Sequence, residues 1–532
     1  MLASAAGKRE NAVMKRLDTR QYVAQMVMPR LDGPMLEDND YRAAVISLVR
    51  EGIGGFILFG GDIEKTPLRL RELQAHAEIP LMIASDVERG LGQQLSGGTR
   101  FPSQRAVASA VNMRSRKDAD LLNRMLDAVR IETRAAGIHA VFSPVMDVNS
   151  NPDNPIICTR AFGEEPEIVE WFGARYISRL QTAAKNGRLE LLACAKHFPG
   201  HGDTDQDSHS VLPVIRADRS RLNRVELPPF REAVRHGVGM VMIAHLLVPA
   251  LDPEKPVTFS KKAVTALLRE GMEFGGLIVS DALDMGALAN DYSQEEISVR
   301  AVHAGMDILL HPKDARVTID AVLSAVEQGR LTQQRIEESA GRILAAKKRL
   351  GLFEKDGVGV GETNYSEHRG IARVISRKAV RLITGDSALL PLSSEKGVAC
   401  FVLDDDGIEN TGGAFLDAMI GRFRQMIGIV LTPESAPPRE HVKMSVSSAG
   451  SVVIAIFSKI SASKGRSGVS SKLREAAREI IRTAKTARRR TAVISFDSPY
   501  ILHMFDDADV CIAAYDRMDD IQTAAAALLS GG

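Results

Sequence analysis

The feature that most constrains this chain is a rhythm. Through the first two-thirds of the sequence, short apolar runs alternate with longer amphipathic segments. Runs of that length, each succeeded by a helix-length segment, predict βαβ units and a parallel sheet. They fall at residues 21–28, 55–59, 81–85, 140–143, 191–195, 239–244, 277–280 and 307–310. That is about eight, the number that closes a (β/α)8 barrel of the TIM type. Between two of them, residues 165–185 place Ile168, Trp171, Phe172, Tyr176 and Leu180 on one helical stripe, and Asn186-Gly187 reads as the C-cap. Ser260 reads as the N-cap of a helix over 261–270, with Val264, Leu267 and Leu268 facing inward and Gly271 stopping it.

A second region begins after residue 353. Residues 354–364 are rich in Gly, Lys and Asp, as a linker should be. A helix over 366–382 leads to new strands at 398–403, 452–457, 491–496 and 510–514, with a helix over 471–488. The expected organisation is a catalytic barrel over 1–355, a linker and short helix over 356–378, and a smaller α/β domain over 379–532. With 532 residues, 45% of them hydrophobic and 25% charged, the chain can bury a large core without metals or disulfides. A net charge of +1 gives no field to attract nucleic acid or an anionic membrane. Arg488-Arg489-Arg490 reads as the solvated end of a helix. Cys158, Cys194, Cys400 and Cys511 are far apart, which suits neither a disulfide framework nor a zinc site. Residues 1–20 are polar and do not read as a secretory signal, and no run is long and apolar enough to span a bilayer. A reducing cytoplasm is expected.

The residues just after each predicted strand carry the functional signal, because barrel active sites form at the C-terminal strand ends. The run 81–85 leads into Asp86, and 140–143 into Asp147 and then Arg160. The run 191–195 leads into Lys196-His197, 239–244 into His245, and 277–280 into Asp281. Each has a bland alternative: Asp86, Asp147 and Asp281 as helix caps, His245 as a satisfied core histidine. Their joint placement on one rim points to a polar pocket for a small, hydroxyl-rich or charged ligand.

Residues 196–209 hold three histidines with Asp203, Asp205 and Asp207. The Asp-x-Asp-x-Asp spacing fails as a calcium loop, because Ser208 stands where Gly is needed and Val214 where the bidentate acid is needed. His197 and His201 have zinc spacing only on a helix, which Pro199, Gly200 and Gly202 oppose. No metal and no cofactor are expected. There is no Gly-x-Ser-x-Gly elbow and no phosphate-loop lysine; Gly357, Gly359 and Gly361 read as linker glycines. The reading that uses all the parts is acid–base chemistry on a sugar. Asp207 orients His209, which protonates a leaving oxygen and later activates water, and Asp281 is the carboxylate nucleophile. Retaining glycosidases normally use two carboxylates, so here a histidine stands in for one.

At these residues the sequence resembles the β-N-acetylglucosaminidase branch of glycoside hydrolase family 3. The resemblance rests on Lys196-His197-Phe198-Pro199-Gly200-His201-Gly202-Asp203-Thr204 with Asp207-Ser208-His209. It also rests on Gly55-Phe56-Ile57-Leu58-Phe59, Ser143-Pro144-Val145-Met146-Asp147-Val148, Arg160-Ala161-Phe162-Gly163 and Ser280-Asp281-Ala282-Leu283-Asp284-Met285. Ser498-Pro499-Tyr500-Ile501-Leu502 and Ala513-Ala514-Tyr515 resemble the α/β sandwich domain of two-domain members. The resemblance implies Asp281 as nucleophile, His209 as acid/base with Asp207 as its partner, and a terminal β-linked N-acetylglucosamine as substrate, such as a peptidoglycan fragment. It further implies that Asp86, Arg160, Lys196 and His197 bind the sugar hydroxyls and that His201 shapes the loop; His245 joins the expected sugar-binding set from its place on the rim. Residues 86–92 depart from the family's acid-x-glutamate-Gly-Gly pattern. The chain stops at Gly531-Gly532 where two-domain relatives continue into a further strand, so a trimmed C-terminal edge is expected. Three other readings stay open: phosphorolysis at the same site, since a histidine does not repel an incoming phosphate; another family 3 specificity, such as β-glucoside or β-xyloside cleavage; and a non-catalytic sugar-binding protein, against which the joint presence of Asp207, His209 and Asp281 argues.

Overall fold

Short β-branched and aliphatic runs that are buried on both faces become parallel strands, and all seven residues of β6 (Leu192–Phe198) are buried. The computed structural model describes residues 17–184, 187–354, 363–393, 395–435, 439–460, 464–465 and 468–531. The polar stretch 1–16, Asn186 and the glycine-rich linker at 355–362 lie outside them. The described chain divides into two units. One comprises Met1–Phe101, Asn123–Ser150 and Gly163–Arg369, and the other Pro102–Leu122, Asn151–Phe162 and Gly370–Gly532.

In the first unit, β2 (Arg30–Asp32), β3 (Gly55–Phe59), β4 (Met82–Ser85), β5 (Ala140–Val141), β6, β7 (Met240–Ile243) and β8 (Leu277–Ser280) form one sheet in that order, every neighbour parallel. β1 (Val27–Met28) pairs in parallel with β9 (Leu309–Leu310). Val279 bridges to Ile308, and Ile57 N donates to Pro29 O at 3.0 Å, so the sheet curls. Phe56, Phe142 and Phe198 are fully enclosed in its core.

The strand expected over 21–28 is a correction. Thr19–Gln25 is a helix, and only Val27–Met28 extends. The Asp18 carboxylate accepts from Gln21 N at 2.8 Å while Asp18 N donates to Gln21 Oε1 at 3.0 Å, a reciprocal cap that starts a helix before the apolar run can extend. The helix expected over 165–185 spans Pro166–Leu180. Its final turn is lost because Ala184 N donates to Arg188 O at 2.7 Å and Ala183 bridges to Leu189. Ser260 Oγ accepts from Ala263 N at 3.2 Å at the head of Lys262–Gly271, where Val264, Leu267 and Leu268 are buried.

The second unit has a six-stranded mixed sheet. Its order is β10 (Arg381–Gly385), β15 (Val510–Ala513), β14 (Arg490–Ser495), β13 (Ser451–Phe457), β11 (Val398–Asp404) and β12 (Met426–Leu431). β10 runs antiparallel to β15; the other pairs are parallel. The helix expected over 366–382 ends at Ala379, and β10 comes next. The β-branched Ile383 and Thr384 pull the backbone into an extended ladder. β10 and β12 of this sheet are absent from the expected set, as is β2 of the first unit.

Candidate active site

Five strand ends on one rim of the first unit supply the polar groups, and most are held by partners distant in sequence. Lys196, 2% exposed, sends Nζ to Asp86 Oδ1 at 2.7 Å and to Glu88 Oε1 at 2.7 Å. Two carboxylates on one ammonium offset the cost of burying it. Asp147 has no exposure. Its Oδ1 accepts from His197 N at 3.1 Å and His201 N at 2.7 Å, and its Oδ2 accepts from His197 Nδ1 at 2.7 Å. Burial raises the Asp147 carboxyl, but the His197 and His201 contacts outweigh it and hold it below the usual range.

The histidine-rich loop is tied at both ends. His201 Nε2 meets Ser208 Oγ at 3.0 Å, and burial pulls His201 down to about 4, so it is neutral at pH 7. Gly286 N donates to His209 O and Ala287 N to Ser208 O, both at 3.2 Å, which fastens the loop to the segment after β8. A side-chain carbon on Gly286 would meet His209 O at 2.7 Å, so glycine permits that approach. Within the loop, Asp207 Oδ1 accepts from His209 N at 2.9 Å and from His209 Nδ1 at 2.8 Å. Nδ1 is committed to the carboxylate, so proton transfer falls to Nε2. Asp207 is buried, while the His209 side chain keeps 36% of its exposure.

Asp281 comes directly after β8, and its Oδ1 accepts from Ala282 N at 2.8 Å. Burial raises the Asp281 carboxyl, but the His197 and His245 rings, the Ala282 amide and Lys196 together hold it at about 2. It is an anion at any ordinary pH. His245 is fully buried; Nε2 donates to Ala282 O at 2.9 Å and Nδ1 lies 2.7 Å from Thr258 Oγ1. Burial lowers its pKa, and the ring braces the Ala282–Leu283 peptide just after Asp281.

Asp86, Lys196, His197, His201, Asp207, His209, His245 and Asp281 all belong to the first unit, whereas Arg160 belongs to the second. Arg160 ends the turn Cys158–Arg160, and its carbonyl accepts from Gln104 Nε2 at 2.8 Å. Sequence reasoning singled out neither Glu88 nor Thr258, and it placed Asp147 on the rim with a helix cap as the alternative. A second acid two residues after Asp86, just past the same apolar run, was the available signal for Glu88. Nothing local pointed to Thr258. Among the described residues, no group of three or more His, Cys, Asp and Glu is arranged to hold a metal ion, and no helix is long and apolar enough to cross a membrane.

Residues 18–346 match the model of the glycosyl hydrolase family 3 N-terminal domain, well over half of the 532-residue chain. The chain belongs to glycosyl hydrolase family 3. It is 29% identical to beta-hexosaminidase A of Pseudoalteromonas piscicida, over 73% of this chain and 69% of that protein. It is 28% identical to a beta-N-acetylglucosaminidase/beta-glucosidase of Cellulomonas fimi, over 66% of this chain and 63% of that one. A solved family 3 beta-N-acetylglucosaminidase from Paenibacillus sp. str. FPU-7 superposes with a TM-score of 0.82 at 29% identity, covering 97% of each chain. The protein is an enzyme, a glycoside hydrolase.

Proposed function

We propose that the protein is a retaining exo-β-N-acetylglucosaminidase acting on terminal β-linked N-acetylglucosamine, with peptidoglycan-derived fragments as the natural substrate class. The observation that carries this is the pairing of an ionised Asp281 carboxylate with a separate Asp207–His209 couple on the same rim. Asp281 attacks the anomeric carbon as His209 Nε2 delivers a proton to the departing oxygen, leaving a glycosyl-aspartate and a neutral alcohol. His209 then takes a proton from water, which attacks the anomeric carbon and releases the sugar and the Asp281 carboxylate. Asp207 keeps the ring in register. Asp86, Lys196 and His197 bind the sugar hydroxyls, His201 shapes the loop and His245 steadies Asp281. In this reading the curled sheet is a closed (β/α)8 barrel and the second unit an α/β sandwich, supported by the Val279–Ile308 and β1–β9 pairings and the six-stranded sheet. The four buried thiols support a cytoplasmic setting.

Asp281→Ala is expected to cut turnover of an aryl N-acetylglucosaminide by roughly a thousandfold or more; near-normal rates would sink the assignment. A histidine in the acid/base position also favours phosphate as an acceptor in place of water. Product analysis with phosphate present separates the two, since phosphorolysis yields a sugar 1-phosphate.

A further inference from the structure

Arg221 lies outside every motif in the sequence, on the short helix Arg219–Arg224 capped by Asp218. Its guanidinium gathers three segments of the first unit. Nη2 pairs with Asp203 Oδ1 at 2.6 Å and donates to Ser150 Oγ at 3.0 Å, and Nε faces Glu226 Oε1 at 3.4 Å. Ser150 Oγ in turn donates to Asp203 Oδ1 at 3.2 Å. Asp203 is in the middle of the histidine-rich loop. Ser150 ends the segment that carries Asp147. Glu226 is 2% exposed and packs beneath the loop's first turn, where a side-chain carbon on Gly200 would sit 2.9 Å from Glu226 Cβ.

These contacts differ in kind from the other tethers. The backbone bonds to Gly286 and Ala287 hold the end of the loop, and Asp147 holds its beginning. The stretch between bends at Gly200 and presses Gly202 against the Val148 carbonyl. Without a hold on Asp203 that stretch can pivot, and a pivot there moves His209. The planar guanidinium fork suits a three-way hold, because it offers separate donors in fixed directions. It also supplies the positive charge facing the buried Glu226 carboxylate.

We infer that Arg221 is a positioning residue for the acid/base: by clamping Asp203 against Ser150 and Glu226 it fixes the loop and so the reach of His209 to the leaving-group oxygen. This rests on the reading of His209 as the proton donor. A residue that places a general acid has a signature that a merely structural residue lacks. Its loss slows substrates whose leaving group must be protonated and spares those whose leaving group departs as a stable anion.

The test compares kcat/KM of the wild type, Arg221→Ala, Arg221→Lys and His209→Ala on the 2,4-dinitrophenyl and phenyl β-N-acetylglucosaminides. The dinitrophenyl substrate doubles as a check that each variant is folded. Arg221→Ala is expected to lose roughly ten- to a hundredfold on the phenyl substrate and less than about threefold on the dinitrophenyl one, with Arg221→Lys between it and the wild type. His209→Ala should show the same pattern more strongly. Equal losses of Arg221→Ala on both substrates, or none on either, while His209→Ala discriminates between them, would overturn the clamp alone. No discrimination by His209→Ala would overturn the acid/base reading and the clamp with it. Where Arg221→Ala is inactive on both substrates, the ratio measured for Arg221→Lys decides: a ratio equal to the wild type's counts against the clamp.

Discussion

Asp147 and Lys347 are both fully enclosed and ionisable, and they sit in opposite energetic positions. Asp147 takes three hydrogen bonds from two histidines, which favours its charged form. Lys347 Nζ meets one neutral partner, Gln25 Oε1 at 2.6 Å, and burial pulls its pKa from 10.5 down to about 7. Between those two values the unfolded chain binds more protons at this site than the folded one, so its contribution to stability rises with pH across that window. At pH 7 and below the buried amine is a net cost. Lys347→Met is therefore expected to raise stability at pH 7 by on the order of 1–2 kcal/mol, after allowing for the lost bond to Gln25. Urea midpoints of the two proteins should converge as the pH approaches about 10. A constant difference across that range would contradict the assignment. Much of the rim was legible one residue at a time: Asp86, Lys196, His245 and Asp281 each directly succeed, or end, an apolar run. Glu88 and Thr258 were not, because their importance lies in partners 108 and 13 positions away, Lys196 and His245 respectively.

At the scale of elements, the histidine-rich loop is shaped by contacts that glycine permits. A side-chain carbon on Gly202 would lie 1.7 Å from the Val148 carbonyl oxygen, a backbone atom that cannot swing aside. Gly202→Ala must push the loop away from the segment after β5. It is expected to cost about 1–3 kcal/mol in a denaturant titration, together with a marked loss of activity. A variant as stable and active as the wild type would show that the two segments are not pressed together. The glycines at 200 and 202 were readable as a turn; what they turn against was not. Strand prediction failed for similar reasons. The apolar run at 21–28 matched a strand in composition, yet the Asp18–Gln21 cap at its head decided for a helix. β12 was missed because Met426–Leu431 contains Gly428 and lies at the sheet edge with one neighbour, where little burial pattern marks it.

At the scale of the whole molecule, the two-unit division is not a single cut in the sequence. Residues 102–122 and 151–162 cluster with the C-terminal sheet, and Arg160 goes with them. Ser103 N donates to Asp516 Oδ2 at 2.8 Å and Ser103 Oγ to Tyr515 O at 2.8 Å, bonds across more than 400 residues of chain that no local pattern foretells. The alternation of runs announced the parallel sheet of the first unit, and the histidine-rich motif announced the family; the interleaving of the units had no such signal. In the chemistry proposed for the first unit, Asp281 forms a covalent bond to the sugar while His209 moves the proton. The most direct measurement is peptide mass mapping after incubation with a 5-fluoro-N-acetylglucosaminyl fluoride, which is designed to form the glycosyl-enzyme faster than water can release it. One sugar adduct is expected, on the peptide that contains Asp281. An adduct on a different residue, or turnover of the reagent without any adduct while β-N-acetylglucosaminides are cleaved, would contradict that chemistry.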